Sequence, residues 1–365
     1  MKDLILLIKP ASGLCDMRCS YCFYHDEVKG IYSGGNTMHL MSLATLEQTV
    51  KNAFSSAENK CSFIFQGGEP TLQELAFYEE FERLVCRYNV DNIEVERFIQ
   101  TNGVSITESH AEFFLKNDYY VGVSIDGDRE QHDRYRKKAN GEGTHKRVTE
   151  SIKLLLDYGV DVSALVTVTE NNAVNGAKIY RYIRSLGVKK IQFTKYISTE
   201  NEVYLTSESY GRFLKEAFWE YLNDMIKGVE VSVREFDDLI RLCAGERSSI
   251  CGGEGICRCA LTVEVDGSVY PCDFYVGEKY LLGNVYDNRL SELYSGHNLR
   301  SFIERSKQLP EVCKSCKYLK LCGNGCYRYR DDNGKYLFCE SYKAFFDTVI
   351  PYLTQIANRI KQRLR

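Results

Sequence analysis

Cys61-Ser62-Phe63-Ile64-Phe65-Gln66-Gly67-Gly68-Glu69-Pro70-Thr71-Leu72 reads as a short apolar strand, a glycine-rich turn and the start of a helix. The aromatic and β-branched run favours a strand, Gly-Gly before Pro interrupts it, and a helical pattern takes over across 72–88. The same unit recurs on both sides. Strand candidates lie at 4–8, 62–65, 95–100, 121–125, 162–169 and 190–197, with helical patterns such as 46–57, 72–88, 108–117, 146–158 and 173–186 between them. Gly159 and Gly187 stand where helix C-terminal caps belong. Six strand–helix units in series predict parallel strands joined by right-handed crossovers. Six cannot close an eight-stranded barrel, so the expected fold is α/β, a partial (β/α)6 TIM-like barrel, with a doubly wound sheet as the alternative. Polar or glycine-rich stretches follow nearly every strand: 15–22, Gln66–Pro70, Gln100-Thr101-Asn102-Gly103 and Ser124-Ile125-Asp126-Gly127. In barrel-like folds such strand ends share one rim.

Beyond residue 235 the pattern changes. Leu261 to Tyr270 alternates as a strand pair turning at Asp266-Gly267, followed by a helix near 289–304, a cysteine knuckle and a terminal helix over about 341–361. This sets the expected domains at 1–235 and 236–365. The second has few apolar runs of its own and reads as organised by metal.

The 365 residues carry 47 basic and 50 acidic side chains, a net charge of -3, which gives no electrostatic reason to expect nucleic acid. No stretch approaches a membrane span, and the run 4–8 is too short for a signal-peptide core before Lys9 and Pro10. A cytoplasmic protein without a membrane partner is expected. Fifteen cysteines are then the outlying number, ten of them between Cys243 and Cys339. Intracellular thiols stay reduced, and 18 Phe with 26 Tyr supply a core that a disulfide scaffold lacks. Metal ligation is the expectation.

Cys15, Cys19 and Cys22 put three thiolates on one short loop, enough for three corners of a [4Fe–4S] cube with one iron left open. Zinc completed by His25 is the alternative. Downstream, Cys313, Cys316, Cys322, Cys326 and Cys339 form a dense array, with Cys251, Cys257, Cys259 and Cys272 before it. Zinc knuckles are again the alternative there.

The CxxxCxxC spacing with Phe23 beside its last cysteine resembles the radical S-adenosylmethionine superfamily. The resemblance implies that the open iron binds the methionine moiety of S-adenosylmethionine and that an electron then releases a 5′-deoxyadenosyl radical. It also implies cofactor contacts from Gly68 and Glu69, from Ser124 and Arg136, and around the adenosine from Tyr21 and Ile197. The C-terminal array resembles the SPASM extension with two auxiliary [4Fe–4S] clusters. By that likeness Cys251, Cys257, Cys272 and Cys326 hold one, and Cys313, Cys316, Cys322 and Cys339 the other. Cys61, Cys86, Cys243 and Cys259 are left as ordinary core thiols.

Leu7-Ile8-Lys9-Pro10-Ala11-Ser12, Cys22-Phe23-Tyr24-His25, Phe65 to Thr71, and Asp266 to Val276 together are similar to anaerobic sulfatase-maturating enzymes. That family implies oxidation of a Cys or Ser in an unfolded sulfatase segment to Cα-formylglycine. It implies Asp273 as the base, Tyr24 and Gln66 near the peptide, and an electron donor such as a flavodoxin or ferredoxin. Segments 26–40 and 198–206 match no readable pattern, and peptide choice is expected there. A ribosomal-peptide maturase forming cross-links or epimerising a residue with the same clusters is the alternative, and a non-catalytic zinc module is a further one.

Overall fold

The alternation of apolar runs and amphipathic helices forms as read. A computed structural model of the chain describes residues 1–24, 39–196 and 205–363. Ten strands are present among them: β1 (Asp3–Ile8), β2 (Lys60–Phe65), β3 (Glu94–Thr101), β4 (Tyr119–Ser124), β5 (Asp161–Val168), β6 (Lys190–Lys195), β7 (Ser232–Val233), β8 (Leu261–Val263), β9 (Ser268–Tyr270) and β10 (Gly283–Asn284). The chain divides into two compact units.

The first unit comprises 1–124, 132–162 and 259–302. Its strands run in the order β10-β9-β8-β1-β2-β3-β4. Strands β1 to β4 pair in parallel, with Leu4 opposite Cys61 and Phe63 opposite Arg97. The expected hairpin at Asp266-Gly267 forms as the antiparallel pair β8–β9. β8 also joins the free edge of β1 in parallel, Leu6 opposite Leu261. Helices Leu43–Phe54 and Leu75–Tyr88 bury Phe54 and Phe81 against Phe63, at ring separations of 5.9 and 5.0 Å. Such an aromatic cluster contributes about 1.5–3 kcal/mol per buried ring.

The second unit comprises 125–131, 163–258 and 303–365. Here β5, β6 and β7 pair in parallel. Helices Ser207–Ile226, Arg234–Cys243 and Cys339–Arg363 close a second aromatic core, Phe218 standing 5.3 Å from Phe236 and 5.7 Å from Phe345. The single helix expected near 289–304, most of which belongs to the first unit, is two, Leu290–Ser295 and His297–Ser306, interrupted at Gly296. No helix among the described residues is long and apolar enough to cross a membrane.

Candidate active site

β1 ends at Ile8, and Lys9 continues its register by donating its backbone N–H to Val263 O at 2.9 Å. The Lys9 side chain is only 1% exposed, yet it is charged, so it must be paired. Its ammonium pairs with Asp273 Oδ1 and lies 4.0 Å from the centre of the Tyr24 ring. Gln66, just past β2, donates Nε2 to Asp273 Oδ2 at 2.7 Å. Gly67 makes the passage possible: a Cβ there would fall 2.2 Å from Lys9 Cδ. Tyr24 donates its hydroxyl to Glu264 Oε1. Burial pushes the Glu264 carboxyl up, and the Lys9 charge opposes that push. Asp273, Gln66 and Tyr24, three residues expected at the site, thus meet around two that the sequence reading passed over, Lys9 and Glu264.

The cysteine loop after β1 is braced by the loop after β2. Glu69 donates its N–H to Leu14 O at 2.8 Å, and Gly68 at φ +53° has no room for a side chain, since a Cβ would lie 2.2 Å from that same oxygen. The buried Glu69 carboxylate accepts from Thr71 N at 3.0 Å, Thr71 Oγ1 at 2.6 Å, Thr101 Oγ1 at 2.7 Å and Asn102 N at 2.7 Å. Burial pushes its pKa up, and these donors push back. Asn102 reaches on to Asp16 Oδ1 at 2.7 Å. Loops after β1, β2 and β3 are therefore one hydrogen-bonded assembly. Burial raises the Cys15 thiol to about 12, opposed by a hydrogen bond from Met17 and reinforced by Glu69, Asp16 and Cys19. Cys22 donates its N–H to Cys19 O at 3.1 Å. The Tyr21 ring lies 5.5 Å from that of Tyr135, tilted by 42°, and under the Arg136 guanidinium at 5.3 Å. Ser124 ends β4. Phe23 packs on Phe274 at 4.8 Å, joining the cysteine loop to the residue after Asp273. Ile197 and His25 lie outside the described residues, as does most of 26–40 and of 198–206.

In the second unit, Cys313, Cys316, Cys322 and Cys339 all line one pocket with Asn324 and Tyr336. Burial raises the Cys322 thiol to about 11, with Cys339, Cys313 and Cys316 adding to the rise. Burial likewise raises Cys257 to about 12, with Cys326 and Cys251 adding. Among the described residues no three His, Cys, Asp or Glu side chains converge as a single metal ion requires. Four thiols spread around a cavity fit a four-iron cube better than one zinc, whose sulfurs stand about 2.3 Å from the metal. Cys272 follows β9 in the first unit, its carbonyl accepting from Tyr275 N at 3.0 Å. No disulfide joins any cysteine. Of the four thiols expected in the core, Cys61 and Cys259 are buried and Cys243 is half-buried. Cys86 is exposed, because its helix turns Phe81, Leu84 and Val85 inward instead.

Residues 10–176 match the Radical SAM superfamily and 251–317 an iron–sulfur cluster-binding domain, SPASM. A cysteine-type anaerobic sulfatase-maturating enzyme of Clostridium novyi (strain NT) is 39% identical over the whole of both chains. The chain belongs to the anaerobic sulfatase-maturating enzymes. A serine-type member of this family from Bacteroides thetaiotaomicron is 29% identical, covering 96% of this chain and 91% of its own. The solved structure of native anSMEcpe with bound AdoMet and Cp18Cys peptide superposes with a TM-score of 0.91 at 39% identity, covering 98% of this chain and 99% of that one. The expected α/β fold with a parallel sheet, a radical SAM domain and a cysteine-rich SPASM domain is borne out.

Proposed function

We propose that this chain oxidises a cysteine of a target sulfatase peptide to Cα-formylglycine, using S-adenosylmethionine and three [4Fe–4S] clusters held by the eleven cysteines of its motifs. The observation that carries the reading is the Asp273 carboxylate, fixed by Lys9 and Gln66 directly after Cys272, in a chain similar to a cysteine-type maturase along its whole sequence. When bound, the first cluster and its cofactor supply a carbon radical that takes one hydrogen atom from the substrate β-carbon. The protein's own work is the remaining proton. An auxiliary cluster held by the C-terminal cysteines would supply an acceptor for the second electron, and Asp273 would take the thiol proton, so that the substrate would be left as a thioaldehyde that water hydrolyses to the aldehyde with release of hydrogen sulfide. Asp273 is 14% exposed against 1% for Lys9, so an entering peptide meets the carboxylate and not the ammonium. Gly68, Glu69, Ser124, Arg136, Tyr21 and Ile197 bind the cofactor in this reading, and Tyr24 and Gln66 touch the peptide. Residues 1–235 cleave the cofactor and 236–365 carry the auxiliary clusters. Higher identity to the cysteine-type than to the serine-type relative supports Cys over Ser. The electron donor is a flavodoxin or ferredoxin, and the setting is the cytoplasm.

Reduced enzyme incubated with S-adenosylmethionine and a sulfatase peptide bearing the target Cys yields a peptide aldehyde that hydrazine reagents trap. A product that has lost two hydrogens and carries no aldehyde overturns this reading in favour of a cross-linking peptide maturase.

A further inference from the structure

Arg330 has an unusual set of partners. Its Nε donates to Asn324 O at 3.1 Å, Nη1 to Ser306 O at 2.7 Å and Gln308 O at 3.3 Å, and Nη2 to Gly255 O at 2.6 Å and Gly325 O at 3.1 Å. The guanidinium therefore spends its donors on backbone carbonyls. Among the described residues no carboxylate pairs with it. Carbonyl dipoles can solvate a cation, but they leave its charge uncancelled, and a half-buried charge in that state calls for an anion nearby.

The carbonyls show where that anion belongs. Gly255 is two residues before Cys257, and Gly325 directly precedes Cys326. Asn324, whose carbonyl also accepts from Arg330, uses its side-chain oxygen to accept from the Cys313 thiol at 3.5 Å. One guanidinium thus ties together segments bearing cysteines of both C-terminal sets. The seat is built closely: a Cβ on Gly255, at φ +72°, would fall 1.6 Å from Gly323 O and 3.3 Å from Arg330 Nη2.

A [4Fe–4S]2+ core with four thiolates carries two net negative charges, and three once it accepts an electron. We infer that Arg330 is the counter-charge of the auxiliary clusters, a positioning residue that holds their reduction potentials up so that one can take the electron released by the substrate radical. This role presupposes that both clusters are present. The electron balance is simple: the substrate carbon is oxidised by one electron, the cluster is reduced by one, and the accompanying proton goes to Asp273.

The test uses the full-length Cys15→Ala/Cys19→Ala/Cys22→Ala chain, loaded anaerobically with iron and sulfide, so that only the auxiliary clusters titrate. R330K keeps the charge and R330Q removes it. At the potential that half-reduces the parent, R330Q is expected to show at least a tenfold lower ratio of reduced to oxidised cluster, a downward shift of about 59 mV for one electron, while R330K stays with the parent. An R330Q chain that holds no iron beside an R330K chain that holds it all also supports the role, since charge is what separates them. Equal behaviour of the two variants, in iron content or in midpoint, overturns it, as does a loaded R330Q chain that titrates with the parent or an R330K chain that fares worse than R330Q. A parent chain without two cubes' worth of iron overturns the cluster reading itself, and that is seen before any Arg330 variant is made.

Discussion

Asp273 has one donor on each carboxylate oxygen, the Lys9 ammonium and the Gln66 amide. That arrangement fixes the orientation of the carboxylate. D273N keeps the shape and loses the base, so 5′-deoxyadenosine should still form while peptide oxidation slows by about 10²–10⁴-fold, the usual worth of a positioned base. Chromatographic quantification of both products in one reaction checks this, and equal slowing of the two would remove Asp273 from the proton step. Lys9 is the complementary case. K9M removes one partner of a buried pair and should destabilise the loaded protein by about 3–5 kcal/mol, with K9R recovering part of the loss, as read by anaerobic urea unfolding. Asp273 entered the expected site through the family likeness, in which the base follows a ligand cysteine. Lys9 was not legible, since its partner lies 264 residues away and its neighbours make it look like the polar end of an apolar run. A charged residue at the end of a parallel strand was the signal available, and it passed unread.

At the scale of elements, the loop of Gly67, Gly68 and Glu69 braces the cysteine loop instead of merely ending β2. G68A must either displace Leu14 or abandon a positive φ, and both move Cys15. Iron and sulfide analysis should show the loss of one cluster of three, with the auxiliary clusters retained. Full loading of the variant would separate the brace from cluster assembly. The six strands of the α/β pattern were readable because each couples an apolar run to a following turn signal. The bond between the first and second loops was not, because hydrogen bonds between loops leave no periodicity. The break at Gly296 escaped for a related reason: apolar spacing carries on across it, and only the backbone reveals the interruption.

For the whole molecule, the thiols link assembly to pH. Burial carries Cys15 and Cys257 to about 12 and Cys322 to about 11, from an ordinary 9.0. Between about pH 9 and those values the unfolded chain has released protons that the folded apoprotein retains, so apoprotein stability falls as pH rises through this window. Iron-bound thiolates have no such proton to retain. Melting curves of apo and loaded protein should therefore diverge as pH is raised from about 8 to about 10, and parallel curves would contradict it. Loading should also release protons, measurable in a weakly buffered solution. A last consequence follows from the pairing of β8 with β1. During synthesis β1 leaves the ribosome with one edge bare and Lys9 without its counter-ion, and both must wait until the hairpin and the Asp273 that follows it have emerged. An N-terminal fragment lacking residues 261–273 is thus expected to expose a strand edge and to aggregate more readily than the whole chain, as light scattering of the two would show.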